Sequence, residues 1–148
     1  MGLFDKMFGG ESQVQEALSQ PEAIAAIALA ATASDGNLSD EQARGILSLL
    51  SGMKLFRYYS SDEINRMFEK LLNILRWEGI NALFHSAKES LPYDLRETAF
   101  AIATDLVLAD GVSPQEELEF LNDLSQDLGI SGYIAIQIVQ VMLVKNRA

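Results

Sequence analysis

Ser60-Ser61-Asp62-Glu63-Ile64-Asn65-Arg66-Met67-Phe68-Glu69-Lys70-Leu71-Leu72-Asn73-Ile74-Leu75 is the stretch that decides the fold class. Ile64, Met67, Phe68, Leu71, Leu72 and Leu75 fall at i, i+3, i+4, i+7, i+8 and i+11. Only an α-helix places that set on one face. Ser60 and Glu63 form a capping box in front of it, the Ser oxygen taking one orphan amide and the Glu carboxylate another. Gly79 supplies the stop. Working outward, Ser19-Gln20-Pro21-Glu22 repeats the start signal, with Pro in the first turn where its missing N–H costs nothing. Behind it, residues 23–33 read as a helix of small apolar residues. Further helices are expected over residues 11–18, 40–51, 80–90, 93–109, 114–128 and 132–145. Residues 134–144 are rich in Ile and Val and alternate around Gln137, as a strand would. A strand there would have no partner, so the segment is read as a buried helix. The expectation is all-α: a single globular bundle of about seven or eight helices, covering residues 11–148. Residues 1–10 form a flexible or docking segment ahead of it.

Composition narrows the function. A chain of 148 residues can bury roughly 68–70% of its unfolded surface, enough for a core without staples. The absence of Cys removes disulfides, thiolate metal sites and cysteine nucleophiles. A net charge of −10 argues against nucleic acid and anionic lipid as partners and permits cations or basic protein surfaces. The apolar run in residues 1–10 is too short for a secretory signal. Lys6 stands where a myristoylation motif needs Ser or Thr. The longest apolar stretch, residues 133–144, falls short of the ~20 residues a membrane helix requires. A cytoplasmic protein with no direct membrane insertion is expected.

The informative pattern is a repeat. Ala26-Ile27-Ala28, followed by Ser34-Asp35-Gly36, recurs as Ala101-Ile102-Ala103 followed by Ala109-Asp110-Gly111, 75 residues further on. The same offset pairs Glu41 with Glu116 and Leu49 with Leu124. Each copy reads as a small-residue helix, an Asp-Gly corner and an acidic helix, which suggests a pseudo-two-fold bundle with the corners close in space. Two readings fit the corners. In one, Gly36 and Gly111 terminate helices in the left-handed region while Ser39 with Gln42, and Ser113 with Pro114 and Glu116, cap the next ones. In the other, Asp35, Asp40, Glu41, Asp110, Glu116 and Glu117 gather hard oxygen ligands for a divalent cation: Ca²⁺, Mg²⁺, Mn²⁺ or Zn²⁺. An EF-hand is excluded, because Asp40 and Ile46 occupy the places of its Gly and its final Glu.

The paired Ser34-Asp35-Gly36-Asn37-Leu38-Ser39-Asp40-Glu41 and Ala109-Asp110-Gly111-Val112-Ser113-Pro114-Gln115-Glu116 resemble the tellurite-resistance TerB family over about residues 11–145. The resemblance implies an all-helical, stress-linked adaptor that binds metal through Asp35, Glu41, Asp110 and Glu116. It also implies a protein partner, a membrane-embedded Ter component. Relatives of this type stand beside a J-domain in a co-chaperone, so a metal-free interaction module is the alternative.

Other chemistry finds little support. His85 is the single imidazole, and a di-iron bundle would need Glu where Ala82 stands and a second His. No nucleophile elbow, phosphate loop or dinucleotide fingerprint occurs. A non-enzyme is expected, with a carboxylate-based metallohydrolase as the remote alternative. From Glu97 to Val144 there are eight acids and no Lys or Arg, a solvated face or one that orients a basic partner. Asp105 interrupts an apolar helix, so it faces water or needs a partner such as Arg or a metal. Phe56, Tyr58 and Tyr59, with Lys54, are expected to form an exposed aromatic patch.

Overall fold

Three serines start three helices by one device. In the computed structural model, which describes residues 17–33, 38–109 and 114–148, Ser19 Oγ accepts the Glu22 amide at 3.2 Å. The Glu22 carboxylate accepts the Ser19 amide at 2.9 Å in return, and α1 follows as Gln20–Thr32. Ser39 and Gln42 do the same for α2, Asp40–Ser51. Ser60 and Glu63 do so for α3, Ser61–Glu78. Glu22 also reaches beyond its own helix. Its other oxygen meets Lys70 Nζ at 2.8 Å and ties the start of α1 to α3. Burial pushes this carboxyl's pKa up, but the Lys70 hydrogen bond and charge, with the Ser19 amide, outweigh it. The net pKa lies below the ordinary 4.5.

Gly79 ends α3 and begins α4, Ile80–Glu89, at φ 93°. A side chain there would be strained, so one glycine turns the chain where a longer loop would otherwise be needed. Then come α5, Tyr93–Ala109, α6, Pro114–Asp127, and α7, Gly132–Lys145. Gly129, at φ 74°, closes α6, with the Ile130 amide donating to the Ser125 carbonyl at 3.0 Å. Among the described residues there are seven α-helices, a 3-10 turn over Lys54–Phe56 and no strand. The all-α expectation holds. Of the expected helix over 11–18, residues 11–16 lie outside the described residues, as does the segment 1–10, while Ala17 to Ser19 are not helical.

The first helices of the two repeat copies, α1 and α5, make the most extensive contact in the molecule. Ala23 through Leu29 are all buried, seven consecutive residues around the whole circumference of α1. Such a helix needs small side chains, because α2, α3, α4 and α5 all approach it. The opposite edge is formed by α7, which packs on α5 and α6. The expectation of a buried helix there is corrected: Ala135 is its one buried residue, and a full face stays in solvent. Charge holds its far end. Asp105, buried inside α5, accepts from Lys145 Nζ at 3.1 Å and Asn146 Nδ2 at 2.9 Å. The aromatic patch is also corrected. Phe56 is buried with its ring 5.5 Å from that of Tyr59, which is half-buried, so Tyr58 alone stands out, with Arg57 over its ring.

Candidate functional site

The corners themselves, residues 34–37 and 110–113, lie outside the described residues, and with them Asp35 and Asp110. The helix ends that bound them are described, and they converge. Ala31 and Thr32, at the end of α1, line a cavity of about 190 Å³ together with Glu116 and Glu117 from the first turn of α6. Leu106, Val107 and Phe120 complete its wall. The start of α2 is drawn to the same place, because Gln42 Nε2 donates to the Thr32 carbonyl at 3.0 Å. The repeat therefore does bring the exit of the first corner's leading helix beside the entry of the second corner's following helix.

The four described candidates divide by environment. Asp40 and Glu41 are exposed in the first turn of α2, and Glu116 is exposed in the first turn of α6. The first turn carries unpaired amides and the positive end of the helix dipole, which by themselves account for acids at these positions. Glu117 is different. It is 8% exposed, and its Oε2 is buried without a hydrogen-bond partner. Among the described residues it is the one buried side-chain oxygen in that condition. Burying a carboxylate oxygen with nothing to meet it costs a few kcal/mol, which helix capping does not return.

Glu117 is inward for a reason readable in its spacing. Glu117, Leu121, Leu124 and Leu128 fall at i, i+4, i+7 and i+11, and all four are buried. One position earlier, Glu116 is rotated about 100° away and points to solvent. Acidity alone treats the two as equals; periodicity separates them.

No group of three His, Cys, Asp or Glu side chains gathers among the described residues. His85 is exposed on α4 and does not line this cavity. No helix of the described residues is long and apolar enough to cross a membrane. Comparison with family models, with curated proteins and with solved structures finds no match to the chain.

Proposed function

We propose that this chain is a TerB-like adaptor that binds a divalent cation at its acidic corners, beside the cavity shared by the end of α1 and the start of α6, and that its acidic face engages a protein partner. The observation that carries the reading is Glu117: a buried carboxylate with an unmet oxygen, lining a cavity between the ends of the two repeat copies. A cation supplies what that oxygen lacks, and the sequence places Asp35 and Asp110 on the flanking corners as further ligands. Asp40, Glu41 and Glu116 add negative charge at the rim. The donors are all oxygen, which favours Ca²⁺, Mg²⁺ or Mn²⁺ over Zn²⁺. On the TerB resemblance, the partner is a membrane-embedded Ter component and the context a chemical stress response.

The metal-free interaction module is favoured by one observation of its own. The reciprocal Ser39–Gln42 box already accounts for the start of α2 without a ligand. Titrating metal-stripped protein with Ca²⁺, Mg²⁺, Mn²⁺ and Zn²⁺ separates the two. The adaptor reading expects saturable heat and a raised melting temperature, both lost in Glu117→Gln and weakened in Asp35→Asn and Asp110→Asn. Without metal, Glu117→Gln should melt close to the parent, because it keeps the side chain's size in the cavity wall. No heat and no shift with any of the four ions would sink the cation reading and leave the interaction module.

A further inference from the structure

An apolar groove of about 250 Å³ runs between α6 and α7, lined by Leu118 and Leu121 on one side and by Ile136 and Val139 on the other. Ile136 is 61% exposed and Leu118 43%. Leu143, also exposed and seven residues beyond Ile136, carries the apolar line about two turns further. Glu119 and Asp123 of α6 are exposed beside Leu118 and give that wall an acidic rim. No Lys or Arg occurs from Glu97 to Val144 to offset it. Gly132, the first residue of α7, marks one end of the groove.

The chain enters the bundle close to that end. The Leu18 amide donates to Ser90 Oγ at 3.2 Å. Three residues past Ser90, the Tyr93 hydroxyl accepts the Ser131 amide at 3.1 Å, directly ahead of Gly132. Residues 90–93 are thus the only spacer between Leu18 and the start of α7, a gap of at most about 25 Å at full extension. Before Leu18 stands Met1-Gly2-Leu3-Phe4-Asp5-Lys6-Met7-Phe8, outside the described residues. Its Leu3, Phe4, Met7 and Phe8 fall on one face of a helix, and Gly9-Gly10 ends the pattern. Residues 9–16 span up to about 26–29 Å, enough to cross the gap.

We propose that residues 1–8 dock as a helix in the α6–α7 groove of their own chain, antiparallel to α7. The tether arrives at Gly132, so Phe8 occupies that end and Leu3 lies toward Leu143. Gly9 to Gly2 is seven residues of helix, about 10 Å, and Tyr133 to Gln140 is the same. The groove has room for an aromatic ring, since a cavity of about 150 Å³ already takes benzene. Charge selects the direction. At 100° per residue, Lys6 flanks the apolar face on the Leu3 side and Asp5 flanks it on the Phe8 side. Running antiparallel to α7 turns Lys6 toward Glu119 and Asp123 and Asp5 away from them; the parallel direction would set Asp5 against those acids. Connectivity selects the occupant. A tether of this length holds the segment near the groove at about millimolar effective concentration. A second copy or an anionic lipid surface has no such advantage and meets a chain of net charge −10.

Cross-linking within the full chain tests the docking, since the chain has no Cys of its own. Gly2→Cys/Gln140→Cys, treated with a short bismaleimide at micromolar protein, should give a cross-linked product of monomer mass. Adding Phe4→Ser and Phe8→Ser leaves the tether and both cysteines in place, and should slow that reaction about tenfold or more by removing the buried rings. Leu118→Ser with Ile136→Ser, both at exposed positions, should slow it similarly. Lys6→Glu should slow it less, about threefold, and the difference should fade in high salt. A rate indifferent to both pairs of Ser substitutions would overturn the proposal. So would Gly9→Cys/Gln140→Cys reacting faster than Gly2→Cys/Gln140→Cys, which reverses the direction. A product of dimer mass that disappears on dilution would assign the groove to a second copy instead. Flotation with phosphatidylglycerol vesicles that needs Phe4 and Phe8, without the monomer cross-link, would assign the segment to lipid.

Discussion

The helices α1 and α7 are close to equal in apolar character and opposite in fate. Along α1 seven consecutive residues are buried, and along α7 only Ala135 is. The difference lies in side-chain size and neighbours. Ala23, Ala25, Ala26 and Ala28 let four helices close around α1, whereas the Ile and Val of α7 make a broad surface that α5 and α6 cover on one side. Apolar periodicity states that a helix must be covered. It does not state by what.

The largest test of this contrast is volume removed from each helix. Ile27→Ala, at a fully buried position of α1, should cost about 3 kcal/mol in urea unfolding, from lost transfer energy plus the cavity left behind. Ile136→Ala, on the outer face of α7, should change the monomer's stability by no more than about 0.5 kcal/mol. Equal losses would erase the distinction between the two helices.

A middle-sized test concerns the acid that tethers each helix. Asp105 is buried, but its partner Lys145 is half exposed, so solvent screens the pair. Asp105→Ala should cost about 1 kcal/mol, by loss of the two hydrogen bonds its carboxylate accepts, because Asn146 Nδ2 keeps the Met142 carbonyl and water takes up the exposed Lys145 ammonium. Amide exchange should then quicken in α7 and not in α1.

The smallest effect is expected at the tether of α1. The pKa of Glu22 is lowered by folding, so its contribution is present above the unfolded value and vanishes as pH falls through the folded one. The stability gap between the parent and Glu22→Gln should therefore be constant near neutrality and close below about pH 4.5, the unfolded carboxyl value. A gap that widens in acid would reverse the sign of this contribution.

Most of the fold is legible in the sequence because its signals are local. Capping boxes at Ser19, Ser39 and Ser60 mark helix starts within four residues, and the stripe from Ile64 to Leu75 marks a face. What is illegible depends on distance or direction. The partner of Asp105 is Lys145, 40 residues away, and no local pattern joins them. Composition sets Phe56 outside with Tyr58, but the tight turn over Lys54–Phe56 aims it into the core. For the candidate site, the end of α1 and the start of α6 line one cavity, while the corners between the repeat's helices lie outside the described residues. The burial of Glu117 is available in its spacing with Leu121 and Leu124, yet an acid is not ordinarily counted among the core positions of a stripe.

Asp105, Leu106 and Val107 are consecutive on α5. The first holds the end of α7, and the next two line the cavity that contains Glu117. A helix is stiff over three residues, so one short segment of α5 serves both as the anchor of α7 and as part of the cavity wall.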